Sequence, residues 1–158
     1  SYEYDPCDFL KAQEFQLKRD IEGYNKTTQD DLISMQTGLF GYKGKVHFQT
    51  APCINDRLAQ LDRSLPKQEL FSSISACIDQ RIHSNYRIYS GNYVAYDLLK
   101  GTSEFAGHYT PEEKQRFVTY IEQQLGKIKI PNKDEDFLRG KLLLMYANPL
   151  VNYLAACQ

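Results

Sequence analysis

The chain has 158 residues, of which 42% are aliphatic, aromatic or Cys and 25% are charged; this composition supports one folded core and excludes disordered or fibrous classes. Lys and Arg total 19 against 20 Asp and Glu, so there is no long-range positive field to gather phosphate polymers, and nucleic acid is not an expected partner. No stretch reaches the ~20 apolar residues that span a bilayer, and the opening SYEYDPCDFL has neither a basic n-region nor an apolar h-region.

In chain order, the alternating run Ser1, Tyr2, Glu3, Tyr4 begins without an initiator Met and reads as a cut end. Asp5-Pro6 before Cys7-Asp8 predicts an N-cap, a proline in the first turn and a helix running to about Ile21. Its apolar side is expected from Phe9, Leu10, Phe15, Leu17 and Ile21, its wet side from Lys11, Glu14, Lys18 and Arg19. Thr27-Thr28 with Asp30 and Asp31 starts a second helix, with Gly38 as its expected end. Gly44 to Thr50 reads as a strand, Val46 and Phe48 alternating with Lys45, His47 and Gln49. One strand makes no sheet, so it pairs either with Tyr2 to Tyr4 or with partners outside this sequence, and missing partners are the favoured reading. Pro52 to Pro66 is a connection in which Asn55-Asp56 starts a single helical turn.

From Lys67 onward the pattern is helical. Leu70, Phe71, Ile74, Cys77, Ile78 and Ile82 recur at threes and fours on a helix ending near Asn85, and Asn92 to Lys100 forms another, closed by Gly101. Thr110-Pro111-Glu112-Glu113 is a capping box, followed at fours by Phe117, Ile121 and Leu125. A last helix opens near Asp134, with Pro149 expected to interrupt or kink it. The fold class is therefore mostly α, about five to seven helices with one or two short strands.

No complete catalytic set is visible. His47 falls at a polar strand position, His83 follows Asp79 by four residues in an arrangement best read as a surface ion pair, and His108 sits in a loop. The cysteines at 7, 53, 77 and 157 form no CxxC and imply reduced thiols in a cytosolic compartment. Cys77 is expected in the core, and Cys7 is the one thiol near a helix start, with burial as its default. No metal or cofactor motif appears. Tyr86, Tyr89, Tyr93 and Tyr96, spaced three, four and three apart, form either a core seam or a lipid-facing strip, with Ser90-Gly91 dividing them.

SYEYDPCDFLKAQEFQ, IDQRIHSNYRIYSGNYVAYDLL, HYTPEEKQRF and LLLMYANPLVNYLA, in that order, resemble the C-terminal part of bacterial glycerolipid acyltransferases, the group that acylates lysophosphatidic acid. The resemblance covers nearly the whole chain. It implies transfer of an acyl chain from acyl-CoA or acyl carrier protein to a lysolipid hydroxyl, with residues 1–66 ending the acyltransferase core and 67–158 forming a helical C-terminal region. The strands would then be left over from a larger α/β domain. In that family a His separated from an Asp by four residues supplies the base, yet the residues five positions after His47, His83 and His108 are Pro52, Ile88 and Glu113. The family's Phe-Pro-Glu-Gly block is also absent. The resemblance thus implies an inactive piece whose partner is the N-terminal catalytic half, placed in the cytoplasm and peripherally at the inner face of the cytoplasmic membrane. Uncovered apolar faces would favour a homodimer. The rival reading is a non-enzymatic helical interaction or lipid-interface module.

Overall fold

A computed structural model describes residues 1–157 and contains seven α-helices: α1 (Asp8–Asp20), α2 (Thr28–Phe40), α3 (Asn55–Ala59), α4 (Lys67–Ser84), α5 (Ser90–Lys100), α6 (Pro111–Lys127) and α7 (Glu135–Ala156). A 3-10 turn spans Ala106–His108. The mostly helical class expected from the periodicities is what the chain adopts. Strand structure among the described residues is a single antiparallel bridge, Tyr2 to Val46.

α7 is the axis of the molecule, packed against α1, α4, α5 and α6. Leu138, Leu142, Leu143, Tyr146 and Ala147 on α7 meet Phe117, Ile121 and Leu125 on α6, Val94 and Ala95 on α5, and Ala12 on α1. The core thus draws one helix from the first 66 residues and three from the remainder. Gly91 brings the start of α5 close to α6, since a Cβ there would lie 2.9 Å from the Phe117 ring. Pro149 does not break α7, which continues through it to Ala156; burial of the adjoining Leu150 holds the turn in place.

Several expected boundaries move for visible reasons. α1 starts at Asp8 with Cys7 as N-cap, because the Asp5 carboxylate accepts the Cys7 N–H and closes a preceding turn. α2 runs past Gly38 to Phe40. Gly38 packs beside the Cys7 sulfur, and Gly41, whose position leaves no room for a side chain against Pro6, ends the helix. At Thr110 the capping box forms as the sequence predicts, the Thr110 hydroxyl accepting from the Glu113 N–H and the Glu113 carboxylate from the Thr110 N–H. Gly101 closes α5 in the left-handed conformation at φ 65°.

The amphipathic expectation fails on α1 and α4, and the strand expected over Gly44 to Thr50 reduces to the bridge at Val46, which pairs with Tyr2 and not, as favoured, with partners outside this sequence. α1 buries Asp8, Ala12 and Gln16, a stripe at spacings of four, while Phe15 and Ile21 stand about half exposed. α4 and α2 bury no residue at all; Cys77 is half-buried rather than core. Val46 and Phe48 are exposed, Phe48 at 90%, because nothing among the described residues covers that face of the strand pair.

Candidate functional site

The four tyrosines do not make one strip. Tyr86 and Tyr89 lie on the connection between α4 and α5, whereas Tyr93 and Tyr96 ride on α5. Tyr89 is buried, and its hydroxyl has no hydrogen-bond partner among the described residues. Burial pushes its ionisation upward. The Tyr93 ring stacks on His108 with centroids 4.4 Å apart, and Tyr96 meets Phe105 edge-on at 5.1 Å. These contacts pin the α5–α6 loop to α5, the role of a packing seam at one end and a loop anchor at the other.

Beneath Tyr93 and Tyr96, Asp97 organises the same loop. It is 2% exposed and accepts from the Tyr109 hydroxyl at 2.8 Å, the Thr102 hydroxyl at 3.0 Å and the Phe105 N–H. Burial acts to raise its ionisation, but these donors outweigh it and hold the carboxyl below its ordinary range. Asp97 carries no motif signal in the sequence, although an acid four residues before the C-cap Gly101 has loop amides within reach.

The most concentrated polar chemistry lies where α1, α6 and α7 meet. Asp8 is fully buried, and its carboxylate accepts from the hydroxyls of Tyr120 and Tyr146, each at 2.7 Å, and from the Phe9 N–H. The two hydroxyl oxygens are 3.0 Å apart, and Tyr146 also accepts from the Asp5 N–H at 3.0 Å. Burial raises the Asp8 carboxyl above its ordinary range despite these bonds. Burial and the Asp8 charge drive both phenols far up, so Tyr120 and Tyr146 act as proton donors and not as bases.

Tyr146 faces a cleft of about 290 Å³ that also takes in Asp5, Tyr86, Arg87, Asn92 and Met145. Asn92 is clamped, accepting from the Tyr89 N–H at 2.8 Å and donating to the Tyr146 carbonyl at 2.8 Å. The cleft therefore offers phenol, amide and guanidinium donors, and the Ser1 hydroxyl that also lines it accepts from the Arg87 N–H at 3.2 Å. Asp8, the one acid joined to Tyr146, is sealed from solvent. Neither Asp8, Tyr120 nor Tyr146 carried a sequence signal as a site; Asp8 reads simply as a helix-start charge in the first turn of α1.

The histidines and cysteines remain apart. His83 makes no ion pair with Asp79 among the described residues and instead lies 5.3 Å from the Tyr86 ring. Cys7 donates to the Ser34 carbonyl at 3.3 Å, and burial with the Asp5 charge raises its ionisation, so the helix start does not activate it. All four cysteines are free. Among the described residues no group of His, Cys, Asp and Glu is placed to hold a metal, and no helix is long and apolar enough to cross a membrane. Comparison with known protein families, curated proteins and solved structures finds no match.

Proposed function

We propose that this chain is the C-terminal part of a glycerolipid-type acyltransferase, a helical unit that docks on a catalytic half lying ahead of it and does no chemistry alone. In this reading the whole protein moves an acyl group from acyl-CoA or acyl carrier protein to a lysolipid hydroxyl at the inner face of the cytoplasmic membrane. The four stretches that resemble that family supply the identity of the reaction.

The observation that carries the reading is the open strand pair. Ser1 and His47 exchange backbone hydrogen bonds, and Glu3 donates to the Lys45 carbonyl at 2.8 Å. Tyr2 and Val46 therefore turn their own N–H and C=O groups outward, where they meet no partner among the described residues. A lone bridge between two short extended segments is marginal by itself, and a sheet continuing beyond it is what an acyltransferase core provides.

The test compares this chain with the protein encoded by the reading frame extended upstream of Ser1. Acyl transfer to lysophosphatidic acid is expected from the longer protein and not from the chain alone. Turnover by the chain above the uncatalysed rate overturns the proposal, as does an extended frame with no His-x4-Asp block. The second reading, a non-enzymatic interaction module, draws on the uncovered faces of α2 and α4 and predicts an unrelated domain, or a stop codon, upstream.

A further inference from the structure

We infer that α2 and the segment after it form a docking surface for an anionic lipid bilayer, a surface distinct from the tyrosines on which the sequence placed lipid contact. α2 is held by one side only. The Cys7 thiol donates to the Ser34 carbonyl, Gly38 lies against the Cys7 sulfur, and Gly41 abuts Pro6. Residues 34, 38 and 41 share one helical face, so the side chains at 32, 35 and 39 project from the opposite one. Leu32, Met35 and Leu39 are 58%, 72% and 71% exposed, and with Phe40 they line an open groove of about 730 Å³. Phe40, Tyr42 and Phe48 extend the apolar surface at 79%, 75% and 90% exposure.

Charge selects the occupant. Residues 32–55 contain no Asp or Glu, while Lys43 and Lys45 follow the apolar face directly. The Lys43 ammonium is fixed at the α2 C-terminus on the Leu39 and Gly41 carbonyls, at 3.2 and 3.1 Å, beside Phe40. Lys45 has no ion-pair partner among the described residues; the nearby acid, Glu3, accepts from the Lys45 backbone N–H. An apolar helix face with exposed aromatics and two lysines at its C-terminal margin, its acids confined to Asp31 in the first turn of α2 and Glu3 beside Lys45, matches the headgroup boundary of an anionic membrane.

Vesicle sedimentation tests this with the intact chain, using phosphatidylcholine alone or mixed with phosphatidylglycerol. Binding is expected to the mixed vesicles, weaker to phosphatidylcholine alone and weakened by salt. The double variant Leu39→Ser/Phe40→Ser should lose binding at least about tenfold, and Lys45→Glu about tenfold. Both alter exposed side chains, and Lys45→Glu lies outside α2, so loss of α2 folding in the first leaves the second decisive. Tyr93→Ser, in the separate loop-anchoring cluster, should bind as the parent does. Failure of the parent chain to bind either vesicle, or variants that bind as well as the parent, overturns the inference. So does a dimer in ultracentrifugation that the double variant abolishes without any change in vesicle binding. None of these results touches the acyl-transfer proposal, which is read by turnover of the extended protein.

Discussion

A fully buried carboxylate is stable only when its lone pairs are taken up, and Asp8 meets that requirement through three donors from three places in the chain. Tyr146→Phe removes one donor from Asp8 and the acceptor of the Asp5 N–H, so urea denaturation should show a loss of about 1–3 kcal/mol. The pH dependence has a definite sign. Native Asp8 ionises above its ordinary value of 3.8, so its contribution is fully present below the unfolded value and is lost as pH rises through the native one. The stability advantage of the parent chain over Asp8→Asn should therefore shrink as pH rises from about 4, measured as urea midpoints across a pH series. A gap that widens with pH would contradict the raised ionisation. None of this could be read from the sequence, because Tyr120 and Tyr146 stand more than a hundred residues from Asp8 and helical periodicity marks apolar positions, not polar ones that find distant donors.

Elements defined by local chemistry were legible, and those defined by what covers them were not. The Thr110–Glu113 box and Gly101 place the ends of α5 and α6 because caps satisfy orphan backbone groups within a few residues. Thr110→Ala should cost about 1 kcal/mol in thermal or urea unfolding; a neutral result would mean that the Glu113 carboxylate holds the helix start without the hydroxyl. Gly38 misled because a glycine inside a helix can serve close approach as well as termination, and here the neighbour is Cys7. On α1 the small Ala12 between Asp8 and Gln16 marks the face that meets α6 and α7. Gln16 donates to the Asn132 carbonyl at 2.9 Å and accepts from the Asp134 N–H at 3.0 Å. That stripe became readable only once the α6–α7 loop was seen to lie against it. For α4, an apolar face predicted a buried helix; packing on α7 covers it only in part, leaving Leu70, Ile74 and Cys77 half-buried and Phe71, Ile78 and Ile82 exposed.

The whole molecule is graded in order, from a packed end around α7 to a thinly covered end at α2, α3 and α4. Burial is concentrated in α1, α5, α6 and α7, and no residue of α2, α3 or α4 is buried. Local opening follows buried apolar contact. Native-state hydrogen exchange should therefore release α2 and α4 amides well before those in the middle of α7, while equal protection throughout would show that the open faces are covered in solution. The same grading separates the buried network from the open surfaces. The polar network of Asp8, Tyr120 and Tyr146 belongs to the rigid end, where it shapes packing, and the surfaces free to meet membrane or protein belong to the other.

The chain contains 12 tyrosines and no tryptophan, so its ultraviolet signal arises from phenols alone. Two of those phenols rest on a carboxylate sealed within the bundle, where excited-state proton transfer offers a quenching route that solvent-exposed rings lack. Their emission thus acts as a native optical gauge, dim while the three helices stay clasped and brightening against the other tyrosines when they part.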